Sequence, residues 1–162
     1  MDAAARINPP TDRVPGAAGA IATEFFVFGR MPLAFSARCF TARHHKLSKD
    51  GCEFRCRDDA DGLLLASGDH QPFLVLNGIQ TQSAGMQCLI GEADALRAAG
   101  VASVRLSPCS RGFARVMQLF DDVFNRGGCA SQARAELDAL GLPGALVAGF
   151  ANRRPGMEAL SA

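Results

Sequence analysis

The chain of 162 residues contains no tryptophan and no tyrosine. Its aromatic content is eleven phenylalanines. They sit in apolar runs rather than among basic residues, so they read as core and not as base-stacking platforms. An excess of either charge is also missing: 17 Lys and Arg face 16 Asp and Glu, for a net charge of +1. A protein held to nucleic acid by phosphate contacts normally shows a clear basic excess, so none is expected as a partner. No stretch approaches the roughly 18 apolar residues that span a bilayer. Residues 1–22 lack the apolar core of a signal peptide, because Asp2, Asn8, Pro9, Pro10, Asp12, Arg13 and Pro15 interrupt them. The expectation is a cytoplasmic protein without a transmembrane segment. No H-E-x-x-H occurs, Ser36 and Ser107 have no base at a recognisable spacing, and no Cys/His pair stands out as a dyad.

What is present is the material of one α/β domain. A chain of this length has room for one ordinary domain. Residues 1–22, rich in Ala, Gly and Pro, read as a tail, and residues 23–158 as the domain. The run Phe25–Phe28 before Gly29 suits a strand covered on both faces, as in a parallel sheet. Residues 30–40 read as a loop begun at Pro32. Leu63–Leu65 and Phe73–Leu76 flank a polar turn and read as a β-hairpin closed by Asn77-Gly78. From Ser83 to Ala99 the spacing of Met86, Leu89, Ile90, Ala93 and Leu96 predicts a helix stopped by Gly100. Val101–Leu106 reads as a strand, Arg111–Asn125 and Ser131–Leu140 as helices, and Ala145–Phe150 as a last strand. This alternation suits βα units of a barrel or an open parallel sheet.

The strongest chemical signal is Cys39-x12-Cys52-x3-Cys56, three of the six cysteines in one short segment without core patterning. In a reducing compartment such a group points to metal rather than to disulfides. Thiolates suit zinc or an iron–sulfur cluster. Over residues 37–58, six Lys and Arg face three Asp and Glu, a local excess of +3 that favours thiolates and an anionic cluster. Structural zinc sites usually show paired C-x2–4-C knuckles, and only Cys52 and Cys56 resemble one. Unliganded cysteines remain the plain alternative on spacing alone. Cys88 reads as packing; Cys109 and Cys129 sit in turns, and either could sterically be a fourth ligand. His44 and His45 adjoin the segment, but adjacent side chains in extended backbone point apart, so at most one would face a metal. Arg105, Asn77 and Gln80 lie near strand ends, where a substrate-facing role and an ordinary turn role are both open.

Longer motifs carry a resemblance. EFFVFGRMPLAFSARCFTARHHKLSKDGCEFRC at Glu24–Cys56, DGLLL at Asp61–Leu65, FLVLNGIQTQSA at Phe73–Ala84, RLSP at Arg105–Pro108 and RPGM at Arg154–Met157 resemble the collagenase-like peptidase family. Within it they resemble most the branch of anaerobic ubiquinone biosynthesis. The resemblance spans roughly residues 24–158, and it implies the C-terminal half of a larger domain with a partial barrel-like, TIM-type βα fold. It implies a 4Fe-4S cluster bound by four Cys, of which Cys39, Cys52 and Cys56 match three, in a segment 39–56 inserted in the fold. The first ligand of the family pattern lies in an N-terminal half that this chain does not contain. It also implies a UbiU-like partner in a heterodimer and oxygen-independent hydroxylation of the ubiquinone ring precursor. Peptidase action or RNA hydroxylation by a relative, and a zinc-binding or truncated interaction fragment, are the alternatives. Half of a parallel barrel would leave strand edges and an apolar face open.

Overall fold

The computed structural model describes residues 15–16, 19–20, 22–48, 50–156 and 158. Most of the expected tail, residues 1–22, lies outside them; within it Pro15–Gly16 (β1) pairs antiparallel with Gly19–Ala20 (β2). The apolar run at Phe25 begins a strand of twelve residues, Glu24–Phe35 (β3), which continues through Pro32. A loop was expected there because proline cannot donate to a sheet ladder. The register shifts on both sides of Pro32 resolve this: the strand bulges where the donor is missing.

Leu63–Ala66 (β4) and Pro72–Asn77 (β5) form the expected antiparallel hairpin. The next segment differs from its pattern. Gln80–Cys88 is a strand (β6), followed by a 3-10 turn at Ile90–Glu92 and a helix of only six residues, Ala93–Ala98 (α2, after α1 at Phe40–His44). Met86 through Leu96 match helical spacing by coincidence. Met86 and Cys88 alternate inward on β6, while Leu89, Ile90 and Leu96 are buried from the turn and helix that follow. Pairing on both edges of β6 overrides the local period.

Ser103–Leu106 (β7) runs parallel to β3, and Leu146–Val147 (β8) runs parallel to β6. The strand order is β4-β5-β6-β3-β7, with β8 beside β6. Among the described residues this is a six-stranded mixed sheet that does not close into a barrel. It is a mixed α/β arrangement consistent with a partial βα fold. The parallel environment expected for β3 exists on its β7 side alone; its β6 side is antiparallel. Gly29 makes the β3–β7 contact possible. It has φ +114, and a Cβ there would stand 2.6 Å from Ser107 Cβ.

Helices Phe113–Arg126 (α3) and Ala130–Ala139 (α4) agree with their periodicity. The apolar stripe of α3 places Val116, Phe120 and Val123 over Phe28, Met86 and Cys88, and α4 adds Leu137. Phe28 and Phe120 meet edge to face with ring centres 5.6 Å apart. Leu33, Phe35, Leu65 and Phe73 are exposed, and β4 and β7 end the sheet. Among the described residues no helix is long and apolar enough to cross a membrane.

One polar side chain ties the sheet together. Arg30 on β3 donates to the carbonyls of Ser83 (3.2 Å), Ala84 and Pro143 (2.7 Å). This is the place where β6 exchanges one neighbour for another: Ser83 pairs with β5 and Met86 with β8. Carbonyls freed by the exchange are met by the guanidinium. Arg30→Met keeps the stem and leaves them unpaired, and should cost about 2–3 kcal/mol in urea unfolding. Arg105→Ala, which breaks the exposed pair to Glu24, should cost less than about 1 kcal/mol in the same measurement.

A pH effect follows from the link between α3 and α4. Arg115 donates to both oxygens of Glu136, at 2.5 and 2.9 Å, and this holds the Glu136 carboxyl below its ordinary value. A lowered folded-state value stabilises the fold above the unfolded carboxylate range of about pH 4.3, and that contribution is lost as pH falls through the folded value. Glu136→Gln should therefore flatten the acid limb of a plot of urea midpoint against pH and leave its shape near neutrality unchanged.

Candidate functional site: the Cys39–Cys56 segment

The segment hangs from the turn between β5 and β6. Ser36 N donates to Ile79 O at 2.8 Å and Phe40 N to Gly78 O at 2.7 Å. In return Gly78 N donates to the buried Thr41 hydroxyl at 3.2 Å. These bonds fix the start of α1, and Cys39 is its N-cap, with the sulfur accepting from Ala42 N at 3.4 Å. The helix ends in a Schellman pattern. Lys46 N donates to Arg43 O and Leu47 N to Ala42 O, with Lys46 left-handed at φ 58. Cys39 is thus set by backbone bonds on both sides.

Cys56 lies in a 3-10 turn, Arg55–Arg57, that packs against α1. Cys52 precedes it, and its carbonyl accepts from Arg55 N at 3.1 Å. The link between these two cysteines is strained: Glu53 and Phe54 are both left-handed, at φ 52 and 54. Non-glycine residues pay about 1–2 kcal/mol each for that conformation. Phe54 is 64% exposed, and the Arg57 guanidinium lies over its ring at 5.2 Å. Downstream, Asp61 ties the segment to the loop after β7, accepting from Ser110 N at 2.8 Å and from the Ser110 hydroxyl.

A cleft of about 390 Å³ opens beside Cys39. Arg38, Arg43 and Lys46 line it, with Ala37, Ala42 and Leu47 as its apolar part. The local charge excess read from the sequence is therefore placed beside the first thiol.

Cys39, Cys52 and Cys56 are free thiols of intermediate exposure. The structure brings the elements carrying Cys39 and Cys56 side by side. It does not bring the three sulfurs into one set: among the described residues, no group of three or more His, Cys, Asp or Glu side chains is placed to hold a metal. As a donor set, three free thiols on one basic segment fit a thiolate-bound metal or cluster.

The other sequence candidates fall elsewhere. Cys88 is buried in the core, and burial pushes its thiol up. Cys129 caps α4, where the Ser131 hydroxyl lowers its thiol. Burial raises the Cys109 thiol, whose sulfhydryl donates to Arg111 O at 3.1 Å. His44 and His45 are exposed and stack edge to face at 5.0 Å. Arg105 pairs with Glu24 at 2.6 Å. Asn77 and Gln80 face each other across the β5–β6 turn. The grouping of Arg30, Asp61 and Cys109 has no signal in the sequence. It arises because Asp61 holds the Cys109–Ser110 loop near Arg30, whose pKa is lowered by burial against the opposing pull of Asp61 and Cys109.

Replacing the Thr41 hydroxyl tests the anchor. Thr41→Val should lower stability by about 1–2 kcal/mol and speed amide exchange at Gly78, because that N–H loses its acceptor at nearly constant volume.

The pattern of peptidase family U32 matches residues 12–158. The chain belongs to this family, which agrees with the collagenase-like resemblance of its motifs. No solved structure matches the chain.

Proposed function

We propose that this member of peptidase family U32 is a UbiV-like iron–sulfur subunit of an oxygen-independent hydroxylase. It would act on the ubiquinone ring precursor together with a UbiU-like partner. The observation that carries the reading is the Cys39, Cys52 and Cys56 set, with Cys39 fixed by α1 beside a cleft lined by Arg38, Arg43 and Lys46. A 4Fe-4S cluster, when bound, supplies the redox chemistry. The chain's own part is to hold and bias it. Cys39, Cys52 and Cys56 would be the ligands it contributes. The three cations favour the thiolate form and offset the negative charge of a thiolate-bound cluster. The Thr41–Gly78 bond keeps Cys39 in place, and the Asp61–Ser110 bonds tether the far end of the segment.

The decisive preparation is anaerobic. The chain is purified without oxygen and reconstituted with iron and sulfide, and both are counted per chain. Broad visible absorption with about four iron and four sulfide per chain is expected, with at least half of the iron lost in each of Cys39→Ala, Cys52→Ala and Cys56→Ala. A colourless protein holding one zinc would overturn the reading in favour of a structural zinc segment.

A further inference from the structure

The described arginines Arg55, Arg97, Arg105, Arg115, Arg126 and Arg134 each hold a carboxylate within the chain. Within the cysteine segment, Arg55 takes both Glu53 and Asp58. Arg38, Arg43 and Lys46 line one cleft, and none of them has a carboxylate partner among the described residues. Arg57 and Arg111 also lack a carboxylate partner among the described residues, but Arg38, Arg43 and Lys46 are the cations that share one cleft, beside Cys39.

All three cations are exposed. Charges held in water are screened beyond about 8 Å and bury no small anion well; they steer encounters and support weak, salt-dependent complexes. Small-ligand sites are mostly enclosed and apolar. A polynucleotide needs a longer basic track, of about 6–10 phosphate contacts, which a near-neutral chain with one local excess does not offer. The match is a small carboxylate-rich protein face, the kind of interface used by transient redox complexes.

We propose that the Arg38–Arg43–Lys46 cleft docks the carboxylate-rich face of a one-electron carrier protein. The identity of the partner rests on the cluster reading above: Cys39 lines the cleft, so a protein seated there lies over the first thiolate of the cluster. One electron passes from the reduced carrier to the oxidised cluster. The carrier is oxidised by one electron and the cluster reduced by one, and no covalent bond is made or broken.

The probe is a plant-type 2Fe–2S ferredoxin with an acidic surface, titrated by calorimetry against the whole chain, metal-free and cluster-loaded. Binding at about 20 mM salt should weaken more than about tenfold at 300 mM salt. The triple variant Arg38→Glu, Arg43→Glu, Lys46→Glu should weaken it by a similar factor at low salt, whereas Arg126→Glu on α3 should not. Should the triple variant fold poorly by circular dichroism, Arg38→Gln and Arg43→Gln singly should each weaken binding several-fold. In stopped flow, reduction of the loaded cluster should slow with the variants while iron content stays unchanged. Ferredoxin binding that is absent at low salt, or equal in wild type and variants, overturns the proposal. So does an oligonucleotide or inorganic phosphate that binds the cleft more tightly than ferredoxin. Iron loading without charge-dependent docking overturns this proposal alone. Charge-dependent docking on a chain that takes up no iron overturns the cluster reading, and the electron-carrier assignment with it.

Discussion

The guanidinium of Arg30 sits where three backbone segments meet, and the arrangement of the sheet depends on it. Strand β6 is shared: its first half pairs with β5 and its second half with β8. Such an exchange frees carbonyls in the middle of a sheet, and half-buried carbonyls need donors. Arg30 supplies them to Ser83, Ala84 and Pro143 from a single side chain. Its own desolvation, which lowers its pKa, is opposed by the nearby Asp61 and Cys109. A guanidinium keeps its charge at neutral pH despite that lowering, and a charged donor binds carbonyls more strongly than a neutral one.

That arrangement determines where the cysteine segment sits. With β5 held on one part of β6, the turn at Gly78 and Ile79 projects at a fixed place, and α1 hangs from it by backbone bonds and the Thr41 hydroxyl. Cys39 inherits this rigidity as the helix cap. Cys52 and Cys56 do not, because they are joined through two left-handed residues and touch α1 only through a short turn. The segment therefore has one thiol anchored to the sheet turn and two joined by a strained link. The Glu53–Phe54 link carries backbone strain, and the Asp61–Ser110 bonds tie the far end of the segment to the loop after β7.

How much of this was legible in the sequence differs from element to element. Helices α3 and α4 and the β4–β5 hairpin were readable, because a 3.6-residue stripe and a Gly/Asp turn between apolar runs are local signals. Strand β6 was not readable. Its spacing mimicked a helix, and the partners that make it a strand come from distant parts of the chain. The passage of β3 through Pro32 was hidden for the same reason, since a bulge is a property of the pair and not of one strand. At the site, the spacing of Cys39, Cys52 and Cys56 and the local charge were legible. The anchor at Thr41 and Gly78, the tether from Asp61 to Ser110 and the strain at Glu53–Phe54 were not, because each depends on tertiary contact or backbone geometry.

If the proposed cluster binds, Cys39 is already in place and Cys52 and Cys56 are gathered as iron and sulfide enter. Amide hydrogen exchange followed before and after anaerobic reconstitution tests it most directly. Amides over residues 50–58 should gain strong protection on loading, while those of Thr41, Gly78 and β5 change little. Iron-loaded protein whose exchange over residues 50–58 is unaltered, or whose Gly78 turn reorganises instead, would contradict it.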